Sequence, residues 1–132
     1  MNNSSIDIKS ILVVEDETAI REICMKALSS EGYEVELVKN GKLAEEKLKE
    51  KKYDLLLIDI RTPVMNGKEL YNYILKEVPD MTDKIIFTTG DIMADNLQRF
   101  IEKTKSPFLP KPFTPSDLRK IVKETLEQQR NA

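Results

Sequence analysis

Histidine is absent from the 132 residues, which removes imidazole from any proposed chemistry. Cysteine occurs once, as Cys24 among apolar residues of a helical stretch. A lone thiol builds neither a disulfide framework nor a metal site, so Cys24 is expected to fill core space. Apolar runs are short. None reaches the ~18 residues that a membrane-spanning helix requires, and the opening MNNSSIDIKS is too polar for a secretion signal, so a cytoplasmic protein is expected. Charge of one sign is also scarce. A net charge of -2 gives no field that would gather nucleic acid or an anionic membrane. Lys47, Lys49, Lys51 and Lys52 interleave with Glu45, Glu46 and Glu50, the pattern of a solvated helix face. Repeats, linkers and low-complexity segments are missing too.

What the chain does have is alternation. Ile11 to Val14 form a short apolar strand that ends in Glu15, Asp16 and Glu17. Thr18 is the expected cap of a helix carrying Ile20, Ile23, Cys24, Ala27 and Leu28, and Gly32 supplies its stop. Val35, Leu37 and Val38 make a second strand, and Asn40 caps a helix with the inner stripe Leu43, Ala44 and Leu48. Leu55 to Ile58 is an apolar run too short for a helix and bounded by polar residues, which predicts a strand buried on both faces. Asp59 follows it directly, then an irregular loop with Arg61, Thr62, Pro63, Asn66 and Gly67. Leu70, Tyr73, Ile74 and Val78 mark the next helix, which Pro79 ends. Ile85 to Phe87 form a fourth strand leading into Thr88, Thr89, Gly90 and Asp91, and Leu97, Phe100 and Ile101 mark the helix after it. Phe108 and Leu109 form a short fifth strand running into Pro110, Lys111, Pro112 and Phe113. Thr114, Pro115 and Asp117 are the cap, first-turn proline and N3 acid of a last helix with the stripe Leu118, Ile121, Val122, Thr125 and Leu126.

Five strand–helix units predict an α/β fold, a parallel sheet with helices on both faces joined by right-handed crossovers. Ligands of such sheets lie at the carboxyl ends of the strands. Those ends carry Glu15 and Asp16, Asp59, Thr89 and Lys111, all on one edge. Carboxylates brought together repel unless a cation sits among them. Mg2+ suits the set, since it takes few carboxylate oxygens and leaves room for a phosphate oxygen, whereas calcium wants more protein ligands. A carboxylate can also attack phosphorus to form an acyl phosphate, with the ion, an ammonium and a hydroxyl neutralising the phosphoryl oxygens.

VVEDE at 13–17, LLLIDIRTPVMNG at 55–67, IIFTTGD at 85–91 and FLPKPF at 108–113 together resemble a response-regulator receiver domain of two-component signalling, close to its chemotaxis members. The resemblance covers residues 10–128, between an N-terminal tail at 1–9 and a C-terminal tail at 129–132. It implies a flavodoxin-like doubly wound sheet of order 2-1-3-4-5, an order inherited from the chemotaxis member. It further implies Asp59 as phosphoacceptor and Thr89 and Lys111 as phosphoryl-binding groups. Asp16 and Asp59 would be direct Mg2+ ligands with the Arg61 carbonyl, and Glu15 would hold the ion through water. Glu15 departs from the family, in which Asp is commoner. Thr88 reads as a strand residue rather than the phosphoryl-binding hydroxyl.

The same resemblance implies a non-enzymatic signalling phosphoacceptor, charged by a histidine kinase or histidine phosphotransfer protein, that catalyses only its own phosphorylation and dephosphorylation. Thr89 and Phe108 would form its switch, and residues 91–103, 107–110 and 114–126 the face that docks a downstream partner or a second copy. A cis Lys111–Pro112 bond is expected, and so is an ion pair between Arg61 and Asp91 at the site's mouth. A haloacid-dehalogenase-type phosphatase is the nearest enzyme rival, but it needs an Asp where Arg61 stands. A flavin binder would need a phosphate cradle where Glu15, Asp16 and Glu17 lie, and a degenerate receiver would not retain all the site residues. After Leu126 only EQQRNA follows, so a stand-alone regulator and the receiver of a larger chain, such as a hybrid kinase, are both expected readings.

Overall fold

The computed structural model describes residues 7–62, 64–90 and 95–131. Among these, β1 (Ser10–Val14), β2 (Glu34–Val38), β3 (Leu55–Asp59), β4 (Ile85–Thr89) and β5 (Phe108–Pro110) alternate with α1 (Thr18–Ser29), α2 (Gly41–Glu50), α3 (Gly67–Glu77), α4 (Asp95–Thr104) and α5 (Pro115–Asn131). All neighbouring strands pair in parallel in the order β2-β1-β3-β4-β5, as the resemblance implied.

The pleat sorts the core into two layers, because successive side chains of a strand point to opposite faces. Leu12, Val14, Leu56, Ile58, Ile85 and Phe87 pack with Ala44 and Leu48 of α2, Leu70 and Ile74 of α3 and Leu97 of α4. Ile11, Val13, Leu55, Leu57 and Ile86 face Cys24, Ala27 and Leu28 of α1 and Leu118 and Val122 of α5. β3 is buried throughout, as its unbroken apolar run requires. Cys24 is a buried core residue, and burial pushes its thiol up to about 12. No helix among the described residues is long and apolar enough to cross a membrane.

Local signals set most of the ends. Gly32, at φ +89, makes the turn after α1. Asn40 Oδ1 accepts from the Leu43 N–H at 2.9 Å, and Thr114 and Asp117 cap α5 reciprocally at 3.0 Å. One expected cap changes. The N-cap of α1 is Glu17, not Thr18, and it forms no side-chain cap bond. Thr88 and Thr89 are the last residues of β4, in keeping with Thr88 as a strand residue. α5 runs through Asn131. Asn66, read as part of a loop, forms a capping box with Glu69 that starts α3. Gly67 beside it has no room for a side chain, since a Cβ there would lie 2.7 Å from the Ile60 Cα. That close approach fixes the loop after Asp59 against the strand. Lys51 pairs with Glu36 at 2.6 Å and Lys52 with Asp80 at 3.3 Å, whereas Glu45, read as part of the solvated face, is buried beside Lys42 at 2.7 Å.

Candidate functional site

The site forms where β1, β3, β4 and β5 end side by side. Glu15 extends β1 by donating its N–H to the Val38 carbonyl at 3.0 Å, which leaves the residue 1% exposed behind the edge. Arg21, the fourth residue of α1, reaches back over the loop. Its Nη1 donates to the carbonyls of Glu15 at 2.9 Å and Asp16 at 2.8 Å, and its Nη2 to Thr18 Oγ1 at 3.1 Å. One planar guanidinium thus ties two adjacent loop carbonyls and the Thr18 hydroxyl together. Asp59, at the end of β3, is 3% exposed and accepts the Arg61 N–H on Oδ1 at 3.1 Å. Lys111 is anchored by its own N–H, which donates to the Thr89 carbonyl at 3.1 Å, and the Lys111–Pro112 peptide is cis as expected.

From that anchor the Lys111 ammonium enters the centre of the acid cluster. It donates to Asp59 Oδ2 at 2.7 Å and to Glu17 Oε1 at 3.1 Å. Glu15 Oε1 lies 2.8 Å away, an ion pair without hydrogen-bond alignment. Burial pushes the Glu15 carboxyl up to about 7; Lys111 and the Glu17 N–H oppose the shift, and the Asp59 charge adds to it. For Lys111 burial works against the charge, but its contacts with Asp59 and then Glu15 outweigh it and hold the ammonium above the usual lysine range.

A cleft of about 300 Å3 opens over these groups, lined by Asp16, Glu17, Asp59, Arg61, Thr89, Gly90 and Lys111. The structure therefore brings together Asp59, Thr89, Lys111, Asp16 and Arg61 as predicted, with Glu15 directly behind. Carboxylate oxygens of Glu15, Glu17 and Asp59 lie within 4.8 Å of one another, a hard-oxygen donor set that fits Mg2+. Glu17 is thus a member of the cluster, although sequence reasoning recognised it only as the third acid after β1. Asp16 is exposed and lines the cleft, while its carboxylate is not among the three that cluster. A larger cavity of about 420 Å3 lies at the opposite, amino-terminal ends of β4 and β5, beside Thr82 and Ser106. It carries no such acid cluster among the described residues.

The expected switch residues lie on adjoining strands. Thr89 is fully buried, and Phe108, paired in register with Phe87, is half-buried against the core layer that contains Leu97 of α4. Sequence reasoning missed the neighbouring aromatic cluster. Phe87 and Phe100 meet edge to face at 5.2 Å, and Tyr71 packs against both rings. The expected Arg61–Asp91 pair lies outside the described residues, as does Pro63.

Comparison with known proteins agrees with this geometry. The family model described as the response regulator receiver domain matches residues 11–123. The sensor kinase CckA of Brucella abortus is 38% identical over 125 residues, which cover 91% of this chain and 13% of that protein. The chain therefore spans only a small part of that relative. A CheY-like receiver domain from Methanospirillum hungatei superposes with a TM-score of 0.85 at 33% identity, covering 95% of this chain and 98% of the other. The receiver domain of the sensor histidine kinase PA1611 of Pseudomonas aeruginosa, solved with a magnesium ion coordinated in its active-site cleft, superposes at 0.81 with 27% identity over 91% of this chain and 98% of that one.

Proposed function

The chain belongs to the response regulator receiver family, and from that premise we propose Asp59 as the residue that takes the phosphoryl group. Receivers are signalling phosphoacceptors, and the phosphatase and flavin-binding alternatives find no support beside that membership. The observation that carries the assignment is the convergence of the Lys111 ammonium on Asp59, Glu15 and Glu17 at the carboxyl edge of the sheet.

In the proposed reaction an Asp59 carboxylate oxygen attacks phosphorus. The bond from phosphorus to the donor nitrogen or oxygen breaks, and its electron pair leaves with the donor. Hydrolysis reverses the state, with water attacking phosphorus, aspartate leaving and inorganic phosphate released. Lys111 holds its ammonium where a phosphoryl oxygen on Asp59 would lie, and Thr89 offers its hydroxyl from the neighbouring strand end. Magnesium is bound in the active site of receivers, and here Glu15, Asp16, Asp59 and the Arg61 carbonyl are the residues proposed to hold it. Such an ion neutralises phosphoryl oxygens and relieves repulsion among the carboxylates.

The donor is proposed to be a histidine kinase or a histidine phosphotransfer protein, since the chain has no histidine of its own. Output is proposed through α4, β5 and α5, to a protein partner or a second copy, from a receiver spanning residues 10–128 in the cytoplasm. The only catalysis proposed is that of its own phosphorylation and dephosphorylation.

Incubation with acetyl phosphate and Mg2+, read by intact-mass spectrometry, tests the core of this reading. The protein should gain one phosphoryl group only with the ion present, and Asp59→Asn should gain none. Equal labelling of that variant overturns the assignment.

A further inference from the structure

Glu17 stands at the N-cap of α1, yet its side chain makes no bond to the first N–H groups of the helix. An acid there is ordinarily drawn onto the helix end, where unpaired donors and the dipole favour it. Glu17 leans across the cleft instead, accepting from Lys111 at 3.1 Å, while its own N–H donates to Glu15 Oε2 at 3.0 Å. The three carboxylates around the ammonium are unequal. The Asp59 and Glu15 side chains are 5% and 2% exposed, and that of Glu17 is 60% exposed. The Glu17 contact is therefore the hydrated one, and the one most readily exchanged for another anion.

We propose that Glu17 is a positioning residue that competes with the phosphoryl group for the Lys111 ammonium. This rests on the reading of Lys111 as phosphoryl-binding. An ammonium has three protons, and a phosphoryl oxygen on Asp59 needs one of them in good alignment. Asp59 accepts one from a buried position, and the buried Glu15 carboxylate crowds the ammonium as an unaligned ion pair at 2.8 Å, so the hydrogen bond that yields to an incoming anion is the hydrated one to Glu17. The exchange weakens binding of every phosphoryl group or phosphoryl analogue by the worth of the pair that is broken. Glu17 thus sets how readily the site accepts a small anionic phosphodonor, and it does so through Lys111 without touching the reacting atoms.

Beryllofluoride binding at saturating Mg2+, followed by 19F NMR, reads this directly on folded protein. Glu17→Gln should bind roughly two- to five-fold more tightly than the wild type, the range set by an exposed ion pair. Its rate of labelling by acetyl phosphate should rise by a similar factor. Glu17→Asp keeps the charge but is one methylene too short for the ammonium, and it should behave like Glu17→Gln. Wild-type affinity in Glu17→Asp would show that charge alone matters and would overturn the proposal, as would unchanged or weaker binding in Glu17→Gln. If the wild-type protein bound no beryllofluoride at all, the phosphoacceptor reading itself would fall, and this inference with it.

Discussion

Lys111 Nζ lies 2.7 Å from Asp59 Oδ2, joining two residues 52 positions apart in the sequence. The pair sits between two further acids, so removing the lysine leaves Asp59 and Glu15 facing each other while buried. Lys111→Ala should therefore lose stability on the order of 3 kcal/mol near pH 8, the cost of an uncompensated buried charge. The loss should shrink near pH 5, where Glu15 is protonated in the folded state. Urea denaturation at the two pH values checks both; a loss independent of pH contradicts the arrangement.

The Glu15 carboxyl supplies a pH dependence of its own. Its folded value is about 7 against an ordinary 4.5, so between those values the folded protein holds a proton that the unfolded chain has released. The contribution of this group to stability is fully present below about 4.5 and is lost as pH rises through 7. Glu15→Gln should flatten the stability profile over that window by on the order of 2 kcal/mol. Calorimetric Mg2+ titrations should show the matching trend in the wild type, with weaker binding at pH 6 than at pH 8, because the ion favours the charged carboxylate.

The fold was legible because β3 announces itself. Leu55 to Ile58 can be buried on both faces only inside a parallel sheet, and once that strand is central Asp59 has to emerge at the ligand-binding edge. Thr114 and Asp117 were legible as a cap because their interaction is complete within three residues of sequence. Asn66 and Glu69 carry the same spacing, and that signal was available. Thr18 misled for a different reason. Local preference favours a threonine cap, but the chain entry is set by Glu17, whose carboxylate is drawn to a lysine 94 residues away. No local rule contains that pair. The Arg21 clamp was equally hidden, since it acts on backbone carbonyls whose positions exist only once the loop is folded.

Arg21 makes a prediction independent of the acids. Arg21→Ala frees the carbonyls of Glu15 and Asp16 and should cost on the order of 2 kcal/mol of stability, in the range of hydrogen bonds from a charged donor. Weaker Mg2+ binding should accompany it, because the ligand loop is no longer held in one geometry. Arg21→Lys should fail to rescue the affinity, since a single ammonium cannot reproduce a planar fork that also reaches Thr18. Full rescue by lysine, measured by calorimetry, would reduce the role of Arg21 to its charge.

The output switch is the most demanding expectation. Phe108 is half-buried beside the layer in which Phe87, Phe100 and Tyr71 meet edge to face, and it lies opposite Phe87 in register. Thr89 ends β4 one strand away with no exposed surface. A hydroxyl drawn toward a phosphoryl group on Asp59 would leave space in a close-packed interior, and Phe108 on the adjoining strand is the ring proposed to fill it. Phenylalanine has no hydroxyl to hold an outward position, so packing alone would bias the two arrangements, through contacts that the phosphoryl group makes in only one of them. Beryllofluoride with Mg2+ should therefore shift amide resonances along α4, β5 and α5 as well as around Asp59, and Phe108→Ala should confine the shifts to the cleft. Shifts that never leave the cleft in the wild-type protein would separate phosphorylation from this face and require a different output surface.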